Sequence, residues 1–263
     1  MKTITAILSL LTLLTGCGEA PVNNQTINSS TPNSSTPNSS TNSAAPVYIL
    51  PPPLAAAQFP ADIDPISLAR LPEVQRAELD APGQDAFDTY VSPGTGYETG
   101  LRGPIGMWMH SPALAKAIFP LREHVRFGTA KDQRLTELTI ISTAREINNQ
   151  YEHTAHEGPA RDAGLEEEII EFVKYRRPFS EAPDIVGFGA AERTIIQFVR
   201  EVVSEEKVSS DTFARAIELF GRDGVTDLVG LIGYYNLVAV TLKAFDVHHP
   251  PGRELLLPVA AEN

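Results

Sequence analysis

The stretch Asp223–Phe245, DGVTDLVGLIGYYNLVAVTLKAF, is apolar nearly all round over a helical length. Such a segment must lie in the middle of a helical assembly or against another copy of the chain. Earlier segments show the same 3.6-residue period. Ser111 and Pro112 read as N-cap and first-turn proline of a helix through ALAKAIFPLREHVRFG, ending at Gly128, with Pro120 expected to bend or end its first part. Leu135, Leu138, Thr139, Ser142 and Ile147 fall at helical spacing, a break is expected at Asn148 and Asn149, and Gly164 closes the region as a C-cap. LEEEIIEFVKYR, GAAERTIIQFVREVVSEE and SSDTFARAIELFG read as three further helices. No alternating strand and no hairpin dipeptide stands out, so the fold class is all-α.

Upstream of this pattern the chain is of another kind. MKTITAILSLLTLLTGC has one lysine, then an uncharged apolar run, then small residues around Cys17, the single cysteine in 263 residues. That is the layout of an export signal, too short and wrongly flanked for a spanning helix. LTGC resembles the lipobox of bacterial lipoproteins, which implies cleavage after residue 16 and lipidation of Cys17. More than one acyl chain gives a durable anchor, each buried methylene adding about 0.8 kcal/mol. The bland alternative is a core cysteine after an amphipathic helix. In a Gram-negative host Gly18 resembles the sorting signal for the outer membrane, placing the protein on its periplasmic side. Residues 17–50 are dominated by Asn, Ser, Thr and Pro with an imperfect STPNS repeat; they cannot bury enough apolar area to offset chain entropy and read as a disordered tether. Residues 51–263 then form one domain. It opens with a proline-rich arm, LPPPLAAAQFPADIDPISLARLP, a short helix around Glu73–Leu79, and a glycine-rich loop, SPGTGYETGLRGPIGMWMHSP, that feeds the next helix. A net charge of −12 without any basic run argues against nucleic acid as a partner. No stretch after the leader reads as a membrane span.

Chemistry-bearing residues concentrate in NNQYEHTAHEGPARDAG, Asn148–Gly164, where two acids and two histidines fall between Glu152 and Glu157. Glu152 and His156 stand at i,i+4, where a carboxylate raises an imidazole's pKa and orients it for proton transfer. The same pair is also what an ordinary solvated helix face would show. Glu152, His153 and His156, with His248 and His249 downstream, offer metal-ligand types, but i and i+1 diverge on a helix and HEGPA lacks the second histidine of H-E-x-x-H, so no metal is expected.

The segment RLTELTIISTAREINNQYEHTAHEGPARDAGL resembles the carboxymuconolactone decarboxylase and alkylhydroperoxidase D family, with GLIGYYNLVAVTLKAFDV resembling its closing helix. The resemblance covers roughly residues 103–247 and implies an all-helical bundle assembled as a trimer or hexamer. Glu137 falls on the family's glutamate and His156 on its histidine. The two redox cysteines fall on Asn149 and Glu152, so dithiol peroxide chemistry lacks its nucleophile. QYEHTAH is similar instead to the YEW-x-x-H form of cysteine-free members. The resemblance implies a cofactor-free lyase or isomerase acting on a small carboxylate or lactone. In that reading His156, Glu152 and Glu137 carry acid–base catalysis, Arg145 holds a carboxylate, Tyr151 and Asn149 donate to a developing oxyanion, and Trp108 walls the pocket. Each has a plainer reading: Glu137 as a helix-start acid, Arg145 as a salt bridge to Glu146 or Glu152, Tyr151 and Asn149 as helix-junction residues, Trp108 as core. Export also sits poorly with cytoplasmic aromatic catabolism, which leaves a non-catalytic, envelope-tethered scaffold as the alternative.

Overall fold

The computed structural model describes residues 47–128 and 132–261. The leader, Cys17 and the tether up to residue 46 lie outside the described residues. The chain is paired from Tyr48 onward, inside the segment assigned to the tether: β1 (Tyr48–Ile49) runs antiparallel to β2 (Val259–Ala260). All other regular structure among the described residues is helical, as the sequence pattern predicts.

The proline-rich arm is extended, with one 3-10 turn at Ala56–Gln58, and it is pinned to the end of the domain. Arg70 N donates to Phe245 O at 2.9 Å, His248 N to Leu68 O at 2.8 Å and Gly252 N to Leu54 O at 2.8 Å. The helix expected around Glu73–Leu79 is a single 3-10 turn, Arg76–Glu78. Two helices were not read from the sequence. α1 (Ala81–Tyr90) is started by the Asp80 carboxylate, which accepts from Gly83 N, with Pro82 in the first turn. α2 (Gly103–Trp108) forms inside the glycine-rich stretch and is wholly buried. Gly103 sits at φ +59, and a Cβ there would meet the Tyr151 hydroxyl at 3.0 Å, so this position needs glycine on both counts.

α3 (Pro112–Arg122) carries Pro120 inside it without ending there. The helix widens after the proline into a π turn, Glu123–Phe127, and Gly128 closes it. Loss of one N–H donor inside a helix is a common origin of such irregularities, and π turns often carry functional side chains. α4 (Gln133–Glu146), capped by the Asp132 carboxylate, is buried from Thr136 to Arg145. It packs against α5 (Gln150–Asp162), α6 (Glu167–Lys174), α7 (Ala190–Ser204) and α8 (Ser210–Ala244). α4 joins two apolar clusters: Leu138 and Ile141 pack with Ile169, Phe172 and Phe198, whereas Ile140 packs with Tyr90, Trp108 and Tyr235.

α8 runs through both helices expected at the C-terminus, broken at Gly221 (φ 67, ψ −179). It is long and apolar enough to cross a membrane by length and composition, contrary to the sequence reading, yet half of its most apolar window is buried inside the fold. Val229, Leu237 and Val240 remain exposed along it.

Candidate active site

The break between α4 and α5 is built by the two asparagines. Asn148 takes the left-handed conformation at φ 52, Asn149 N closes the end of α4 on Ala144 O at 2.8 Å, and the Asn149 side-chain oxygen caps α5 by accepting from Glu152 N at 3.0 Å. The chain therefore turns back, and α5 lies against α4 rather than continuing it. This hairpin brings together Glu137 and His156, which the resemblance alone had linked.

His156 Nδ1 is 2.7 Å from Glu137 Oε2, and the other oxygen of Glu137 accepts from Arg126 Nη2 at 2.9 Å. On the far edge of the ring, Nε2 is 3.2 Å from the Tyr235 hydroxyl and 3.4 Å from Glu152 Oε2. The Glu152–His156 pair is thus real but looser than the Glu137 contact. Glu137, Glu152 and His156 are all buried, His156 being 9% exposed, so the solvated-face reading does not hold.

Burial and pairing compete here, and pairing wins. Burial disfavours charge on His156, but the hydrogen bonds to Glu137 and Glu152 outweigh it and raise the imidazole's pKa above 6.5. Glu137 is likewise pushed up by burial and pulled down further by His156 and Arg126, ending below 4.5. Burial opposes the Arg126 charge, while the Glu137 carboxylate holds it in place with a net upward shift. Tyr235 is raised well above 10 by burial and keeps its proton. The result is a buried carboxylate fixed between two cations, with an imidazole whose Nε2 faces the Tyr235 hydroxyl and a second carboxylate.

Arg126 and Tyr235 were missed by the sequence reading. Arg126 sits on the π turn and Tyr235 on the apolar closing helix, where a hydroxyl-bearing residue in GYYN was the available signal.

Arg145 does not hold an anion. Its guanidinium donates to Pro258 O at 2.7 Å, Lys174 O at 3.2 Å and Asn148 Oδ1 at 2.5 Å, so it ties the helix junction to distant backbone. Nor does it pair with Glu146 or Glu152; Glu146 pairs with Arg176 and Arg200. Asn149 spends its oxygen on the α5 cap. The Tyr151 ring stacks on His249 at 4.1 Å, and its backbone carbonyl meets His249 Nε2 at 3.1 Å, the plainer helix-junction role. Trp108 is a core residue, 3% exposed, with its indole N–H on Thr241 Oγ1 at 2.8 Å.

His153 is fully buried with neither ring nitrogen hydrogen-bonded; its nearest carboxylate oxygen, Glu157 Oε2, is 3.5 Å away. Burial and the nearby Lys174 and Arg145 cations drive its pKa down to about 3, so it is a neutral core histidine. His248 stacks on Phe59 and His249 on Tyr151. Among the described residues no three His, Cys, Asp or Glu side chains are grouped to hold a metal ion.

No family model matches the chain, and no curated protein does. Solved structures do resemble it. A protein from Ralstonia eutropha JMP134, described as an alkylhydroperoxidase AhpD core and an uncharacterized peroxidase-related protein, is 14% identical with a TM-score of 0.52, covering 69% of this chain and 92% of that one. A protein of unknown function from Agrobacterium tumefaciens, assigned provisionally as an antioxidant defence protein AhpD, is 20% identical with a TM-score of 0.47, covering 57% of this chain and 99% of that one. The fold is all-α and alkylhydroperoxidase D-like. At these identities the likeness concerns the fold, and function has to be argued from the site.

Proposed function

We propose that this protein is an acid–base enzyme of lyase or isomerase type, needing no cofactor, that acts on a small carboxylate or lactone. The observation that carries the reading is the hydrogen bond of His156 Nδ1 to Glu137 Oε2, which leaves Nε2 as the proton-transferring atom. Glu137 fixes the tautomer, and Arg126 keeps Glu137 ionised. With a raised pKa His156 rests protonated and gives its Nε2 proton to a carbanion or enolate carbon; Glu152, beside Nε2, relays a proton from water back to it. Tyr235, which keeps its proton, donates to the oxygen on which charge develops. A substrate carrying its own carbonyl beside the reacting carbon supplies the electron sink.

The sequence resemblance to carboxymuconolactone decarboxylases supports the reaction class. Dithiol-driven peroxide reduction is disfavoured, because the positions of the family's cysteine pair are Asn149 and Glu152. We further propose an exported lipoprotein anchored through Cys17, assembled as a trimer or hexamer that would cover Val229 and Leu237. That exposed apolar ridge is also what a non-catalytic, envelope-tethered scaffold would use. Turnover assays over a panel of small carboxylates and lactones separate the two. The enzyme reading expects turnover that His156→Ala abolishes while the helical circular dichroism is kept; an unchanged rate in that variant contradicts it.

A further inference from the structure

A cleft of about 600 Å³ opens between the start of α5 and the last third of α8. Its lining includes Asn148, Asn149, Tyr151, Asn236, Val240 and Lys243. Its lining residues are chain neighbours of two residues of the site. On α5, Tyr151 precedes Glu152, and the Asn149 side chain is hydrogen-bonded to Glu152 N. On α8, Asn236 follows Tyr235, and Ala239, another lining residue, lies one turn from Tyr235 on the same face. Glu152 and Tyr235 are not themselves part of the lining; they follow Tyr151 and precede Asn236 in the chain, respectively.

The chemistry of the lining is specific. Lys243 is exposed and forms no ion pair among the described residues, and the one acid of the lining, Asp246, lies 3.3 Å from His248 Nε2. Asn148 and Asn149 each use the side-chain oxygen in a hydrogen bond, to Arg145 and to Glu152 N respectively, which leaves their NH2 groups as donors. Asn236 is the reverse: its Nδ2 donates to Ile232 O, leaving its oxygen to accept. Val240 and Val247 supply apolar wall. A cation and two amide donors at one place, with apolar sides and a volume in the ordinary range for small ligands, match a compact organic anion.

We propose that this cleft is the substrate site and that Lys243, with the amides of Asn148 and Asn149, holds the carboxylate of a small organic acid. The assignment rests on the acid–base reading of the buried network for the statement that the bound acid reacts. It takes over the anion-holding role that Arg145, bound to backbone carbonyls, does not perform.

The test is a binding titration of the full-length chain with acetate, succinate and benzoate, each paired with its neutral amide, followed by backbone amide NMR shifts and calorimetry. Saturable binding of at least one acid, with shifts centred on Asn148–Tyr151 and Asn236–Lys243, is expected, together with no binding of its amide. Lys243→Gln is expected to weaken that binding about fivefold or more, and Lys243→Arg to retain most of it. The His156 titration should be the same in both variants. Absence of saturable binding by every acid, shifts centred elsewhere, or an affinity unchanged in Lys243→Gln overturns the cleft assignment. Because His156→Ala is expected to keep Lys243-dependent binding while losing turnover, failure of the acid–base reading shows as binding without chemistry, and failure of the cleft shows as loss of the binding itself.

Discussion

His156 Nδ1 and Glu137 Oε2 meet at 2.7 Å although nineteen residues and a helix break separate them. Arg126 on the other oxygen of Glu137 makes the carboxylate a buried bridge between two cationic partners. The first contact is a consequence of the Asn148–Asn149 turn, which folds α5 onto α4; the second comes from the π turn that follows α3.

Arg126→Ala removes one cation from a buried carboxylate. A buried ion pair broken on one side typically costs about 3–5 kcal/mol. We expect a loss of that order in urea unfolding, and a much smaller loss in Arg126→Met combined with Glu137→Gln, where no carboxylate is left uncompensated. Equal losses in the two proteins would show that Arg126 acts by packing alone.

The pH dependence of stability follows from the two opposite shifts. His156, raised above 6.5, contributes fully below its unfolded pKa, and that contribution is lost as pH rises through the folded value. Glu137, lowered below 4.5, contributes above its unfolded pKa and loses the contribution as pH falls through the folded value. The pair is therefore worth most between those limits. Thermal unfolding against pH should lose its alkaline-side decline in a Glu137→Gln, His156→Gln double variant, relative to wild type.

His153 adds an acid limb of its own. Its folded pKa of about 3 lies below the unfolded 6.5, so the unfolded state binds the extra proton and stability falls as pH drops between those values. His153→Leu, close in volume and free of unpaired ring nitrogens, should be neutral or stabilising at pH 7 and should flatten that limb. A strongly destabilised variant with an unchanged acid limb would mean that the imidazole is hydrogen-bonded in solution.

Gly103→Ala places a side chain at positive φ, at a cost of about 1–2 kcal/mol, and sets its Cβ 3.0 Å from the Tyr151 hydroxyl. We expect lowered stability and altered Tyr151 resonances, read by denaturation and aromatic NMR.

How much of this was legible follows from the range of each interaction. The boundary signals at Ser111, Asn149 and Gly164 are local, and the helices they bound are where periodicity puts them. α2 escaped because its glycines and prolines look like loop until Ile105, Met107 and Trp108 are seen buried. Arg145 was misread because its partners, Lys174 O and Pro258 O, are 29 and 113 residues away. Arg126 was invisible because the π turn after Pro120 rotates it toward Glu137, and no periodicity argument predicts a π turn. The Glu137–His156 contact came from the family pattern, because no helical spacing relates residues on either side of the break at Asn148 and Asn149.

The central claim is that Glu137 poises His156 for proton transfer, and its most direct test is the side-chain NMR titration of His156 in wild type and in Glu137→Gln. The account expects a pKa above 6.5 in the wild type that falls in the variant. A value of a free imidazole, the same in both proteins, would contradict it.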